Sequence, residues 1–294
     1  MANLKDIKKR ITSVKNTRQI TRAMKMVAAA KLRRAQDAVL AARPYAYRVY
    51  SLLISLASDD SASHPLLEVR EEKKAKLVIL AGDRGLCGSF NVNIFKEAQR
   101  VIAAKKAEGV ELSVEVIGKK ARDFFAKKIT IDEYHEGLLA KPGYNEVTAV
   151  ADKIIEDYQQ ENLDAVYLIY NEFKSAIQQD VVTEKLLPIP MDHLPNGVQA
   201  LLAKESENSV GYKFEPDRET ILMQIVPRHF RMQMFRAVLE SVASEHGSRM
   251  SSMENATNNA SDMIDALSLE YNKARQAAIT TELMEIIGGV EAMK

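Results

Sequence analysis

With 294 residues, 46% of them apolar and 28% charged, the chain has room for two ordinary domains or for one domain plus a long helical arm. No eighteen apolar residues run together, which excludes a helical membrane span, and a single cysteine, Cys87, excludes an internal disulfide. The formal charge is only +1 but unevenly placed: residues 1–50 hold thirteen Lys/Arg against Asp6 and Asp37, net +11, and 217–294 hold eight Lys/Arg against eleven Asp/Glu, net −3. Such a basic stretch suits nucleic acid, a lipid surface, an acidic protein surface or the chain's own acidic tail, and charge alone does not choose among them. The opening MANLKDIKKR lacks the apolar run of a secretory signal and is too lysine-rich and serine-poor for a transit peptide, so a soluble chain on the cytoplasmic side is expected.

The first fifty-odd residues carry one helical pattern. Leu4, Ile7, Ile11 and Val14 alternate spacings of three and four. After a slip at the polar stretch Asn16, Thr17, Arg18 and Gln19, the seam is expected to resume at Met24, Ala28, Lys31, Ala35, Ala38, Ala42, Tyr45, Val49, Leu52 and Leu56. Small alanines along it let a second helix approach closely, and Pro44 is expected to kink the helix. Residues 58–76 read as a connector, with turn chemistry in Asp-Asp-Ser-Ala-Ser-His-Pro.

From 76 to 190 the pattern becomes α/β. Short apolar runs at 76–81, 112–117, 165–170 and 181–187 read as strands, and the stretches between them read as helices at about 91–106, 119–127 and 145–160. This alternation predicts a Rossmann-like domain with a mostly parallel sheet and one antiparallel strand. Residues 191–211 read as polar loop.

Residues 217–290 return to a helical pattern, with Pro216 near its start and Pro227 expected to kink it. Gly288-Gly289 is expected to end it. Met253, Ala256, Ala260, Met263 and Leu267, then Tyr271, Ala274 and Ala278, form its seam. At 1.5 Å per residue the segment would be roughly 110 Å long, which calls for a partner helix. The N-terminal helix is that partner: residues 1–57 and 217–294 are expected to form one discontinuous antiparallel coiled coil, with the α/β domain inserted between them. The tail is the longer helix, and its last eighteen or so residues, about 27 Å, would project unpaired with Ile279, Leu283, Ile286, Ile287 and Val290 on the tip. An apolar tip of that kind needs an enclosing partner.

Candidate chemistry is sparse. The loop Gly82-Asp83-Arg84-Gly85-Leu86-Cys87-Gly88 follows a strand and precedes a helix, where phosphates often bind. Its G-x-x-G-x-x-G spacing nevertheless matches neither the dinucleotide fingerprint nor the Walker A pattern. Cys87 has no histidine partner in sequence, and the five histidines show no metal-ligand spacing. Glu282 and Glu285 could be read as paired carboxylates, although on a helical tip a solvated or partner-facing role fits better. Neither catalytic residues, cofactor nor metal is assigned.

Three stretches carry a family resemblance. MANLKDIKKRITSVKNTRQITRAMKMVAAAKLRRAQ resembles the N-terminal helix of F-type ATP synthase gamma subunits, YNKARQAAITTELMEIIGGVEA their C-terminal signature and AGDRGLCGSFN their central loop. One departure is Val290, where the signature usually has Ala. The resemblance implies a rotor shaft inside a ring of three alpha and three beta subunits, with ATP made or split on the beta subunits and not on this chain. It further implies that the globular domain meets the epsilon subunit and the membrane c-ring, so that membrane contact is indirect. By that analogy Met24, Lys25, Arg33, Arg34, Arg275, Gln276, Thr280 and Glu282 face the alpha/beta ring, and Ile279, Leu283, Ile286, Ile287 and Val290 form an apolar tip bearing. Gly85, Leu86, Cys87 and Tyr212 belong to the epsilon and c-ring side. A bacterial source and a peripheral place on the cytoplasmic face of the plasma membrane are expected. The alternative is a nucleotide- or nucleic-acid-binding enzyme with a coiled-coil arm, although the basic helix lacks aromatic residues interleaved for bases.

Overall fold

The structure, a computed structural model, describes residues 4–57, 64–176, 178–190, 215 and 217–291. In chain order these form α1 (Leu4–Ala57), a 3-10 turn (Pro65–Leu67), β1 (Lys74–Leu80), α2 (Phe90–Ala107), β2 (Glu111–Ile117), α3 (Lys119–Phe125) and β3 (Glu133–His135). Then follow α4 (Tyr144–Gln159), β4 (Ala165–Phe173), β5 (Gln179–Leu187) and α5 (Arg218–Glu291). The chain divides into two compact units, Met1–Ala28 with Arg249–Lys294, and Ala29–Ser248.

In the larger unit five strands form one sheet in the order β3-β2-β1-β4-β5. The first four are parallel and β5 is antiparallel to β4. This is the expected α/β class, with one addition. β3 is only three residues long, too short to register as an apolar run, and it forms because Val116 and Ile117 offer a free edge to Tyr134 and His135. β1 shows why the sheet is covered on both faces. Leu77, Ile79 and Ala81 point into a core with Phe90, Ile94, Ala98, Val114, Val116 and Phe125. The alternate residue Lys76 reaches the opposite side, where its Nζ lies 2.9 Å from Asp157 of α4. Each large side chain buried there contributes about 1.5–3 kcal/mol.

Gly118 closes the end of β2 with φ +100°, and a Cβ there would lie 1.8 Å from the Ala81 carbonyl oxygen. Only glycine allows β1 and β2 to end so close together.

Both prolines expected to kink a helix lie inside continuous ones: Pro44 within α1 and Pro227 within α5. Each removes one backbone hydrogen bond. Buried neighbours, Val39 and Ala46 about the first and Val226 and Phe230 about the second, anchor the helix on either side. Gly288 and Gly289 likewise do not end α5, which runs on to Glu291. A glycine costs a helix only about 1 kcal/mol, less than is needed to break an established run.

Candidate partner-binding surfaces

In the smaller unit α1 and α5 pair side by side. Thr21 Oγ1 lies 2.8 Å from Thr257 Oγ1, and Lys25 Nζ lies 2.6 Å from Glu254. Position rises along one helix as it falls along the other, so the pair is antiparallel. In the larger unit Arg43 meets Glu240 at 3.3 Å and the Tyr50 ring lies tilted with its centroid 4.5 Å from that of His229, again antiparallel.

Burial corrects the seam of α1. No slip occurs. Leu4, Ile7, Ile11, Val14, Arg18, Thr21, Lys25, Ala28, Leu32, Ala35, Val39, Ala42, Ala46, Val49, Leu53 and Leu56 are all buried or half-buried at strict alternating spacings of three and four. Lys31 and Tyr45, expected in the seam, are exposed. The polar stretch Asn16 to Gln19 is no break: Arg18 is half-buried in the seam, and Thr21 and Lys25 beyond it each meet a polar partner across it. On α5 the seam passes through Thr257 and Ile264, where Ala256 and Met263 had been expected. Ile264 is 6% exposed and Met263 52%. Either choice satisfies the three-four alternation, so spacing alone could not decide.

The residues expected to face the alpha/beta ring are mostly open. Arg33, Arg34, Arg275, Gln276, Thr280 and Glu282 are exposed, and Met24 and Lys25 are half-buried. Thr280 donates its hydroxyl to the Gln276 carbonyl at 2.9 Å. Of the expected tip residues Ile279, Leu283, Ile286 and Ile287 are about half exposed or more, as is Met284, which sequence reasoning passed over. The position of Val290 lies in α5, but its side chain is outside the description. An exposed apolar group on α1, Ile20, Met26 and Val27, was also missed. Its signal was the seven-residue interval between Ile20 and Val27.

The loop at 82–88 is held against α5 of the same chain. Gly82 N–H donates to Asn91 Oδ1 at 2.9 Å, and the Glu245 carboxylate packs so close that a Cβ on Gly82 would stand 3.1 Å from Glu245 Cδ. Ser248 donates to the Cys87 carbonyl at 2.6 Å. The acidic side chain of Glu245 thus lies beside the glycine turn, where a phosphate would need positive charge. Of the residues expected at the foot, Cys87 is buried and offers no side-chain surface, whereas Gly85 and Leu86 (φ 61°) form an exposed crest. That crest belongs to the loop gripped by Glu245 and Ser248, well along α5 from its first residue Arg218. Tyr212 lies outside the described residues.

One cluster of metal-type donors occurs among the described residues: Glu115, Glu133 and His135, with ligand atoms within 4.8 Å of one another. No spacing motif announces it, because the sheet brings together residues eighteen and twenty apart. The Lys76 ammonium stands 3.7 Å from Glu115 and 3.9 Å from Glu133, so a cation already answers these carboxylates. His135 Nε2 lies 2.8 Å from Glu115. Further along, the Arg236 guanidinium is opposed by burial, but Glu184, at 2.8 Å, more than restores its charge and raises its pKa. Burial lowers His64 to about 4 and, together with Arg236, His229 to about 3.

The family model described as ATP synthase matches residues 3–293. The ATP synthase gamma chain of Geobacter metallireducens is 49% identical over 295 residues, and that of Trichlorobacter lovleyi 48%, each covering 100% of both chains. Among solved structures, a chain of the Tetrahymena thermophila mitochondrial ATP synthase central stalk and c-ring is 27% identical with a TM-score of 0.61. It covers 81% of this chain and 99% of its own. A chain of the Euglena gracilis mitochondrial ATP synthase rotor has the same fold, at 21% identity and a TM-score of 0.65, covering 94% of this chain and 98% of its own. With the whole length matched and the paired terminal helices in place, this chain belongs to the ATP synthase family, among its gamma chains.

Proposed function

We propose that the chain works as the central rotor shaft of a bacterial F-type ATP synthase, with residues 1–57 and 217–294 as one discontinuous shaft and 76–190 as its globular domain. The observation that carries this reading is the end of α5. Continued at the register of Thr21 and Thr257, the first residue of α1 comes opposite the turn around Ala274, and α5 runs on to Glu291 with Ile279, Leu283, Ile286 and Ile287 exposed. Exposed apolar side chains on an unpaired helix call for an enclosing collar.

In this reading Met24, Lys25, Arg33, Arg34, Arg275, Gln276, Thr280 and Glu282 touch a ring of three alpha and three beta subunits. Val290 completes the tip bearing, and Tyr212 faces the epsilon subunit and c-ring. Gly85 and Leu86 face that same epsilon and c-ring side, with Cys87 supporting them from beneath. ATP is made or hydrolysed on the beta subunits, and the shaft biases their open and closed states by presenting a different face to each. Since none of the described helices is long and apolar enough to cross a membrane, attachment to the cytoplasmic face of the plasma membrane is indirect, through the c-ring.

Reconstitution tests this. Mixed with matching alpha and beta subunits, the chain should enter a complex of one copy with three of each, and ATP hydrolysis should require all three chains. A chain that stays apart and binds or hydrolyses nucleotide alone would favour the nucleotide-binding alternative.

A further inference from the structure

The seam of α1 has a peculiarity that pairing with α5 does not by itself require. Alternate seam positions, seven apart, read Leu4, Ile11, Arg18, Lys25, Leu32, Val39, Ala46 and Leu53; the interleaved set reads Ile7, Val14, Thr21, Ala28, Ala35, Ala42, Val49 and Leu56. Apart from Arg18, Thr21 and Lys25, this is an unbroken apolar heptad of 54 residues, long enough for a stable coiled coil with any similar helix. The most available similar helix is α1 of another copy. About 160 residues separate the end of α1 from the start of α5, so at about 5–20 residues per second the seam waits roughly ten to thirty seconds for its partner during synthesis.

We propose that Lys25, a cation within this seam, selects α5 as the partner of α1 and, together with Arg18, bars α1 from pairing with a second copy of itself. In a parallel, in-register pair of two α1 helices, equivalent seam positions face each other, setting Arg18 against Arg18 and Lys25 against Lys25. In an antiparallel pair the two cations meet apolar seam positions, and the only acids on α1 are Asp6 and Asp37, each about twelve residues from the nearer cation. Either arrangement buries ammonium or guanidinium groups without an answering charge. Helix α5 supplies a complement at the Lys25 layer: Glu254 at 2.6 Å from Lys25, with the Thr257 hydroxyl at 2.8 Å from the adjacent Thr21. The pair Lys25–Glu254 is about half exposed and adds little stability of its own. Its value lies in the difference between partners, which is what specificity requires.

The test refolds the full-length chain from denaturant over a hundredfold range of concentration, reading mass by light scattering and helix content by circular dichroism. Wild type should return as monomer. The variant Arg18→Leu/Lys25→Leu/Glu254→Leu removes both cations and the carboxylate that answers Lys25. Because Glu254 answers Lys25 and the Arg18 change removes only like-charge repulsion, it should regain its helix yet yield at least about ten times more dimer at equal concentration. The swap Lys25→Glu/Glu254→Lys keeps a charge in the seam and a complement on α5, so it should remain monomeric. Should the triple variant fail to regain helix, Lys25→Leu/Glu254→Leu reads the same effect with one layer changed. Leucine variants that refold as monomer at every concentration, or a swap that dimerises like them, would overturn the proposal.

Discussion

Gly118→Ala tests the tightest contact in the sheet. The new Cβ would lie 1.8 Å from the Ala81 carbonyl oxygen and 2.8 Å from its carbon, both backbone atoms, so relief requires the ends of β1 and β2 to part by more than 1 Å. Alanine at φ +100° adds about 1–2 kcal/mol of strain, and overpacking of this kind costs about 1–3 kcal/mol. Together the loss should be about 2–5 kcal/mol, a large part of a typical folding stability of about 5–15 kcal/mol. The displacement also reaches the loop, because Lys120 N–H bonds to the Gly82 carbonyl and Lys119 N–H to Asp83. Gly109→Ala is the control. It too has a positive φ, +78°, but nothing lies within 4 Å of the added carbon, so it should lose only about 1 kcal/mol. Urea unfolding followed by circular dichroism would compare the two. Equal losses would refute the close-approach argument, leaving only the backbone angle.

The corrected seam predicts that Ile264→Ala costs about 2–4 kcal/mol while Met263→Ala stays within about 0.5 kcal/mol, measured as a shift in urea midpoint. Glu240 is buried and holds both Arg43 at 3.3 Å and the Phe173 N–H at 3.0 Å, so Glu240→Ala should destabilise the chain by about 2–4 kcal/mol, against about 0–1 kcal/mol for Lys25→Ala at its half-exposed pair. His64 and His229 are held neutral in the fold, at about 4 and about 3 against 6.5 unfolded. The unfolded chain therefore binds more protons below pH 6.5, and stability should be full above that pH and fall steadily toward pH 4. Replacing His229 with Gln should flatten the fall, as read from thermal melts across that range. Charge reversal at Arg275, exposed near the end of α5, should leave the melting of the sheet unchanged while reducing rotary coupling in the reconstituted complex; unaltered ATP synthesis would remove Arg275 from the contact surface.

Periodicity alone identified the two long helices and the α/β segment between them, because apolar side chains must repeat every 3.5 residues to meet another helix and every second residue to line one face of a strand. It also identified the exposed tip, since the tail outlasts its partner in simple length. The polar residues were harder to interpret. Asn16, Thr17, Arg18 and Gln19 read as a break, yet the seam runs on through the polar Thr21 and Lys25, which Thr257 and Glu254, more than two hundred residues away, make part of it. The choice between Met263 and Ile264 had the same character, being equal in spacing and decided by which side faces α1. At the glycine loop the sequence offered a turn without a phosphate signature, whereas Glu245 and Ser248 show that what the turn receives is the chain's own helix. Lys76, Glu115, Glu133 and His135 meet only because three parallel strands lie in register. Local pattern determines which elements form, since it is set by neighbours a few residues apart. Which polar groups find partners is a property of distant segments brought together, and that was decided by the tertiary structure.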